Sequence, residues 1–291
     1  MSQHNIESVP PISSWLRLKL RIANLRSMVI DIFLILAMNV LKKAYANQPI
    51  PFWLYAALQR VARFGDRAIA YVIARFDISS AVLRDEKLAS LMHAHEMVGW
   101  SLDAATLNYL EQEIKSHKPS VIVEFGSGIS TVILTSYMLS LHQNSNRIYV
   151  ISIEQDAEYA THTREKLSDA GLEQNAVVLV APLVEHHLEG QPYWCYDLNK
   201  QTLAGYLTDR RVDMLVIDGP SGGGLNRFGT LEMLFESLSA GAMFYMDDAY
   251  RQYETRVGQL WARHLSVRIC GVVPAGKGIL VGHKQTIGNK Q

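Results

Sequence analysis

Cysteine is almost missing from this chain: two among 291 residues, Cys195 and Cys270, in unrelated surroundings. With no C-x-x-C and no ligand spacing, a disulfide framework is unsupported, and a reducing, cytoplasmic setting is expected. Net charge is missing too, because 28 Lys and Arg cancel 28 Asp and Glu. That excludes the concentrated basic surface on which broad nucleic-acid binding depends. No secretory signal is read, since the first twelve residues are polar and proline-bearing. Repeats and low-complexity tracts are absent. What is present is apolar material, 48% of the residues, on a chain long enough for one large domain or two modest ones.

The chain divides near residue 100, into a helical region over 1–98, a regular domain over 99–284 and a tail over 285–291. Trp15 to Lys43 opens with alternating basic and apolar residues and continues as the run Met28 to Leu41, interrupted by Asp31 and Asn39. That run is about 14 residues, short of the ~20 a spanning helix needs, and Asp31 inside a span is costly. A buried or partner-packed helix is the plain reading. A helix lying on a membrane surface, with flanking Arg and Lys meeting anionic headgroups, is the sharper one, and a true span the least supported. Membrane-surface or homo-oligomer contact is thus expected through residues 13–76. After Pro49 and Pro51, a second helix is expected over Phe52 to Phe76, with Arg60, Arg63 and Arg67 on one face.

From Ser101 onward, short apolar runs alternate with helical stretches. Strands are expected at Val121–Val123, Ile148–Ile153, Ala176–Val180, Val212–Ile217, Ala242–Met246, Val267–Val273 and Gly278–Val281. Helices are expected from a start in Ser101–Ala104 to Lys118, and over Thr131 to Leu141, Glu158 to Ala170, Gly229 to Leu238 and Tyr253 to His264. This alternation predicts an α/β fold, a parallel sheet flanked by helices, closing on an antiparallel hairpin through Pro274–Lys277.

The segment Val-Ile-Val-Glu-Phe-Gly-Ser-Gly-Ile-Ser over 121–130 is strand, glycine turn, helix, the place where an open α/β sheet binds ligand. A dinucleotide fingerprint wants a third Gly or Ala where Thr131 stands. Glu124, just before the first glycine, is out of place beside a pyrophosphate and suits a cationic ligand. At the end of the second strand, Glu154 can accept both hydroxyls of a ribose. These segments, with Val212–Pro220 and Gly241–Ala249, resemble the class I S-adenosylmethionine-dependent methyltransferases, in particular a bacterial subgroup with E-F-G-S-G-x-S-T and I-D-G-P motifs. The resemblance implies a Rossmann-like sheet of seven strands with the last antiparallel. It also implies cofactor contacts from Glu124, Gly126, Ser127, Gly128, Ser130 and Glu154, and S-adenosyl-L-methionine as cofactor. Methyl transfer to a small-molecule or glycan acceptor, through oxygen, is the expected reaction. A catalytically inactive binding or scaffold protein of the same fold, and an NAD-linked oxidoreductase, are the alternatives.

Asp218, Asp247 and Asp248 end adjacent strands, so three carboxylates are expected to converge at the cleft. Close like charges need compensation, and a divalent ion, Mg2+, is one answer. Catechol O-methyltransferase-type enzymes are similar in placing acids at these two strand ends. Their lysine base after the first acid is replaced here by Gly219-Pro220-Ser221. Asp218 and Asp248 are the catalytic candidates. The plain alternative lets Asp247 and Asp248 cap the next turn or pair with Arg251. Four weaker signals remain. His186-His187 reads as a surface loop, with general-base service as the alternative. His93-x-His95-Glu96 has metal-like spacing without a further ligand. Tyr193-Trp194-Cys195-Tyr196-Asp197 is core packing or an acceptor pocket. Gly222-Gly223-Gly224 reads as a mobile loop beside the cleft.

Overall fold

The computed structural model describes residues 37, 40–41, 43–45, 48–62, 83–86, 88–90, 101–142 and 147–286. The expectations for Trp15 to Leu36, for Arg63 and Arg67, for the side chain of Arg60 and for His93, His95 and Glu96 lie outside the described residues. Among the described residues, no helix is long and apolar enough to cross a membrane.

A two-residue strand, β1 (Ile50–Pro51), leads into α1 (Phe52–Ala62). The regular region begins with α2 (Ala104–His117). Asp103 caps it by accepting from the Thr106 N–H at 2.8 Å, and Lys118 closes it in the left-handed conformation before Pro119. There follow β2 (Ile122–Phe125), α3 (Ile129–His142), β3 (Val150–Glu154), α4 (Ala157–Asp169) and β4 (Ala176–Val180). A hairpin, β5 (Leu183–Leu188) and β6 (Gln191–Tyr196), stands apart from the main sheet. Then come α5 (Lys200–Leu207), β7 (Val212–Ile217), α6 (Phe228–Leu234), β8 (Leu238–Met246), α7 (Gln252–His264), β9 (Val267–Val273) and β10 (Ile279–Lys284).

The main sheet has the order β1-β9-β10-β8-β7-β2-β3-β4. β4, β3, β2, β7 and β8 run parallel, and β10 is antiparallel to both β8 and β9. The expected α/β architecture and the antiparallel last strand are therefore found. The sheet has eight strands rather than seven, because Ile50–Pro51 adds an antiparallel edge to β9. Proline is tolerated there because an edge strand leaves one side of its backbone unpaired.

Period-two alternation sorts the strand residues between two cores. Val123, Phe125, Ile151, Ile153, Leu215 and Ile217 face α5, α6 and α7, where Phe228, Leu260 and Trp261 are buried. Ile122, Val150, Met214 and Val216 face α2 and α3, against Leu107, Leu110, Ile114 and Ile133. Such side chains contribute roughly 1.5–3 kcal/mol each on burial. With both faces covered, the carboxyl ends of β2, β3, β7 and β8 are the open rim of the sheet.

Candidate functional site

Two groups of carboxylates stand on that rim. The first belongs to β2 and β3. The turn after β2 is possible because Gly126 (φ +88°) adopts a conformation side chains rarely take and lies against Gly219, whose N is 3.2 Å from where a Cβ on Gly126 would sit. Gly219 is equally constrained, since a side chain there would run into the Tyr196 hydroxyl. The Phe125 carbonyl accepts from the N–H groups of Asp218 (3.0 Å) and Gly219 (2.8 Å), so β2 and β7 end in contact. Beside Gly128 nothing lies within 4 Å of a built Cβ, and Gly126, Ser127 and Gly128 are all partly exposed.

Glu154 reaches this turn. Its Oε2 accepts from the Ser127 N–H at 2.8 Å and the Ser127 hydroxyl at 2.9 Å, and its Oε1 accepts from the Asp156 N–H at 3.1 Å. Glu124 is fully buried beneath the first turn of α3, beside the buried Ser130. Its Oε2 accepts from the Thr131 hydroxyl at 2.6 Å, and the same hydroxyl accepts from the Gly128 N–H at 3.1 Å. Thr131, which breaks the dinucleotide fingerprint, thus ties the acid to the turn. Glu124 Oε1 has no hydrogen bond. Burial pushes Glu124 up to about 7; the hydroxyls of Ser130, Thr131 and Ser152 pull it down, and the Asp218 charge adds to the rise. Among the described residues neither Glu124 nor Glu154 takes part in an ion pair.

The second group belongs to β7 and β8. Asp218 follows β7, and Asp247 and Asp248 follow β8. One oxygen from each lies within 4.8 Å of the others, so the expected convergence is found. Asp218 keeps 15% of its side chain exposed, whereas Asp247 and Asp248 are buried. Asp248 takes a left-handed backbone (φ +58°), which Asp tolerates better than most residues, and its carbonyl accepts from the Arg251 N–H.

Cations stand among these acids. Arg227, buried at the start of α6, donates from Nη2 to Asp248 Oδ2 (2.9 Å) and to the Asp218 backbone carbonyl, and from Nη1 to the Asp247 carbonyl at 2.7 Å. Its Nη2 also lies 3.4 Å from Asp218 Oδ1. Arg251 pairs with Asp248 at 2.9 Å and Glu254 at 3.9 Å. Lys277, on the β9–β10 turn, lies 3.0 Å from Asp247 Oδ2 and 3.3 Å from Asp248 Oδ1. Burial alone raises Asp248, but Arg227, Lys277 and Arg251 outweigh it and hold the carboxyl below its ordinary range. Asp247 goes the other way: burial, then the Asp218 charge, pushes it up to about 7 against the pull of Lys277. The plain alternative of pairing with Arg251 therefore holds for Asp248. A small cleft of about 20 Å³ adjoins the group, lined by Pro220, Ser221 and Gly222–Gly224 together with Arg227, Arg251 and Glu254.

Sequence reasoning missed Arg227 and Lys277. Each is a single cation within a glycine-rich stretch, and neither carries a spacing that points to its partners. It also missed the β5–β6 hairpin. His186 and His187 lie on strand β5 rather than in a loop, both exposed; His186 stacks on Tyr193 and His187 pairs with Glu185 at 3.4 Å. Of the aromatic cluster, Tyr193 and Cys195 are core residues packed against α6, and Trp194 is exposed. Tyr196 is different. Its ring lies against Phe125 (5.1 Å between centroids) and its hydroxyl against Gly219, which puts it under the glycine turn. Burial, then the Glu154 charge, keeps this phenol protonated.

No family model matches the chain, and no curated protein is similar to it in sequence. Solved structures do share its fold. An SAH-bound methyltransferase of Podospora anserina superposes with a TM-score of 0.53 at 11% identity, over 76% of this chain and 97% of that one. An O-methyltransferase of Bacillus cereus, in complex with SAH, superposes with a TM-score of 0.50 at 16% identity, over 71% and 94%.

Proposed function

We propose that the chain is an S-adenosylmethionine-dependent methyltransferase acting on an acceptor oxygen. The observation that carries this is the pair of buried carboxylates, Glu124 and Glu154, that stand without a cation at a partly exposed glycine turn. A buried carboxylate with no counter-ion is costly. A ligand bearing a sulfonium and an ammonium lowers that cost on binding. Support also comes from the two fold neighbours, whose structures hold SAH.

In this reading Gly126, Ser127 and Gly128 lay their backbone along the cofactor, and the α3 N-terminus contributes Ser130. Glu154 keeps lone pairs free for the ribose hydroxyls. Glu124, being fully buried, acts through its field rather than by open contact. The cofactor supplies an electrophilic methyl group. The acceptor approaches the sheet rim on the side of Gly222–Gly224, with Asp218, the least buried of the three aspartates, receiving its hydroxyl. Asp248 holds Arg227 and Arg251 in place and does not itself meet the acceptor. Catalysis is then mainly alignment of nucleophile, methyl and sulfur in line.

Calorimetry on the purified full chain tests this. S-adenosylhomocysteine is expected to bind at one site, and Glu154→Gln to weaken it about tenfold or more, the worth of a charge-assisted hydrogen bond. Absence of binding by the wild-type protein, or an unchanged affinity in a folded Glu154→Gln variant, defeats the proposal. Binding of NADH in its place favours an oxidoreductase.

A further inference from the structure

Asp218, Asp247 and Asp248 have the spacing of an ion site, but their surroundings do not fit one. A divalent ion draws its affinity from carboxylate charge that nothing else has met. Here the charge is met from within. Four acids (Asp218, Asp247, Asp248 and Glu254) stand among three cations (Arg227, Arg251 and Lys277), in pairs of 2.9 to 4.0 Å. The group holds one more acid than cation.

We infer that the Lys277 ammonium stands where a divalent ion would, bridging Asp247 and Asp248, and that this cleft works on protein cations alone. Two further observations carry the inference. First, Lys277 is held by its backbone. The Ala249 N–H donates to the Gly278 carbonyl (2.9 Å) and the Tyr250 N–H to the Lys277 carbonyl (3.2 Å), so the β9–β10 turn is joined to the turn bearing the acids. These bonds fix the Lys277 backbone beside the acids, so its side chain needs only to reach across to them. Second, the ammonium sits 3.0 Å from Asp247 Oδ2 and 3.3 Å from Asp248 Oδ1, between the two carboxylates an ion would bridge. Its side chain keeps 22% exposure. Lys277 is therefore a positioning residue. It fixes Asp247 and Asp248 and supplies the positive charge between them that a metal would otherwise supply.

The test needs neither cofactor nor acceptor, so its outcome is independent of the S-adenosylmethionine reading. Mn2+ is titrated into the full chain and free ion followed by electron paramagnetic resonance. Wild type and Lys277→Arg are expected to leave the free-ion signal unchanged. Lys277→Gln is expected to take up one ion per chain, binding about tenfold or more tighter than wild type. Stoichiometric uptake by the wild type, or no gain in a Lys277→Gln variant that keeps its circular dichroism, overturns the inference. Should that variant not fold, the wild-type titration decides alone.

Discussion

The two ends of the cleft solve one electrostatic problem in opposite ways. At the β2–β3 end, Glu124 and Glu154 are buried among hydroxyls and backbone N–H groups. At the β7–β8 end, the aspartates are buried among Arg227, Arg251 and Lys277. Hydrogen bonds from neutral groups soften a buried charge without neutralising it, and burial pushes Glu124 up to about 7; at the other end the cations hold Asp248 low, while Asp247, buried and beside Asp218, also rises to about 7. The paired end is a finished piece of structure. On the proposed reading, the unpaired end is completed by the cationic cofactor.

The comparison breaks most visibly at Arg227. Removing one partner from a buried ion-pair network leaves uncompensated charge, so Arg227→Ala is expected to lose about 3–5 kcal/mol of stability in urea unfolding. Equal stability of the variant means the pairs contribute little and the contrast is wrong. Glu124→Gln is the matching change at the other end, and it should act with the opposite sign. With no ion pair to lose, the amide relieves a buried charge and is expected to raise stability at alkaline pH by roughly 1–3 kcal/mol. It should also weaken S-adenosylhomocysteine in calorimetry. A variant that is destabilised as Arg227→Ala is would show Glu124 to be a structural acid only.

The finest distinction is in pH. The folded pKa of Glu124 is raised, so its protonated form favours folding. That contribution is present at low pH and is lost as pH rises from about 4.5 through about 7. Cofactor affinity has the opposite slope, because the cation needs the carboxylate. It is expected to fall as pH drops below about 7, by up to about tenfold per unit. The Glu124→Gln variant should lack this slope, and a slope retained in the variant assigns it to another group.

Much of this architecture can be read from the chain. Strands at Ala176–Val180, Val212–Ile217 and Val267–Val273 have the bounds their apolar runs predict. The glycine turn and the three converging aspartates follow from local order along the chain. The β5–β6 hairpin is harder to see. It turns on Glu189-Gly190, both at positive φ, rather than on the Asn-Gly that signals such turns, and β5 carries Glu185, His186 and His187 in succession. The counter-ions are harder still. Lys277 meets acids 29 and 30 positions earlier, and Arg227 meets acids on both sides of itself; only the sheet order brings them together. Local pattern reports elements and their punctuation, whereas charge matching is a property of the closed fold.

Tyr55, on α1, has a mechanical consequence. Its hydroxyl donates to the Ala249 carbonyl at 2.8 Å and its ring stacks on Tyr250, immediately after the aspartate pair, while Ile50 is zipped to Val272 on the sheet edge. A pull on the chain ahead of Ile50 thus has a short rigid linkage to the turn that carries Asp247 and Asp248. A displacement of Ile50 is therefore carried to the turn of Asp247 and Asp248 through both the sheet edge and Tyr55.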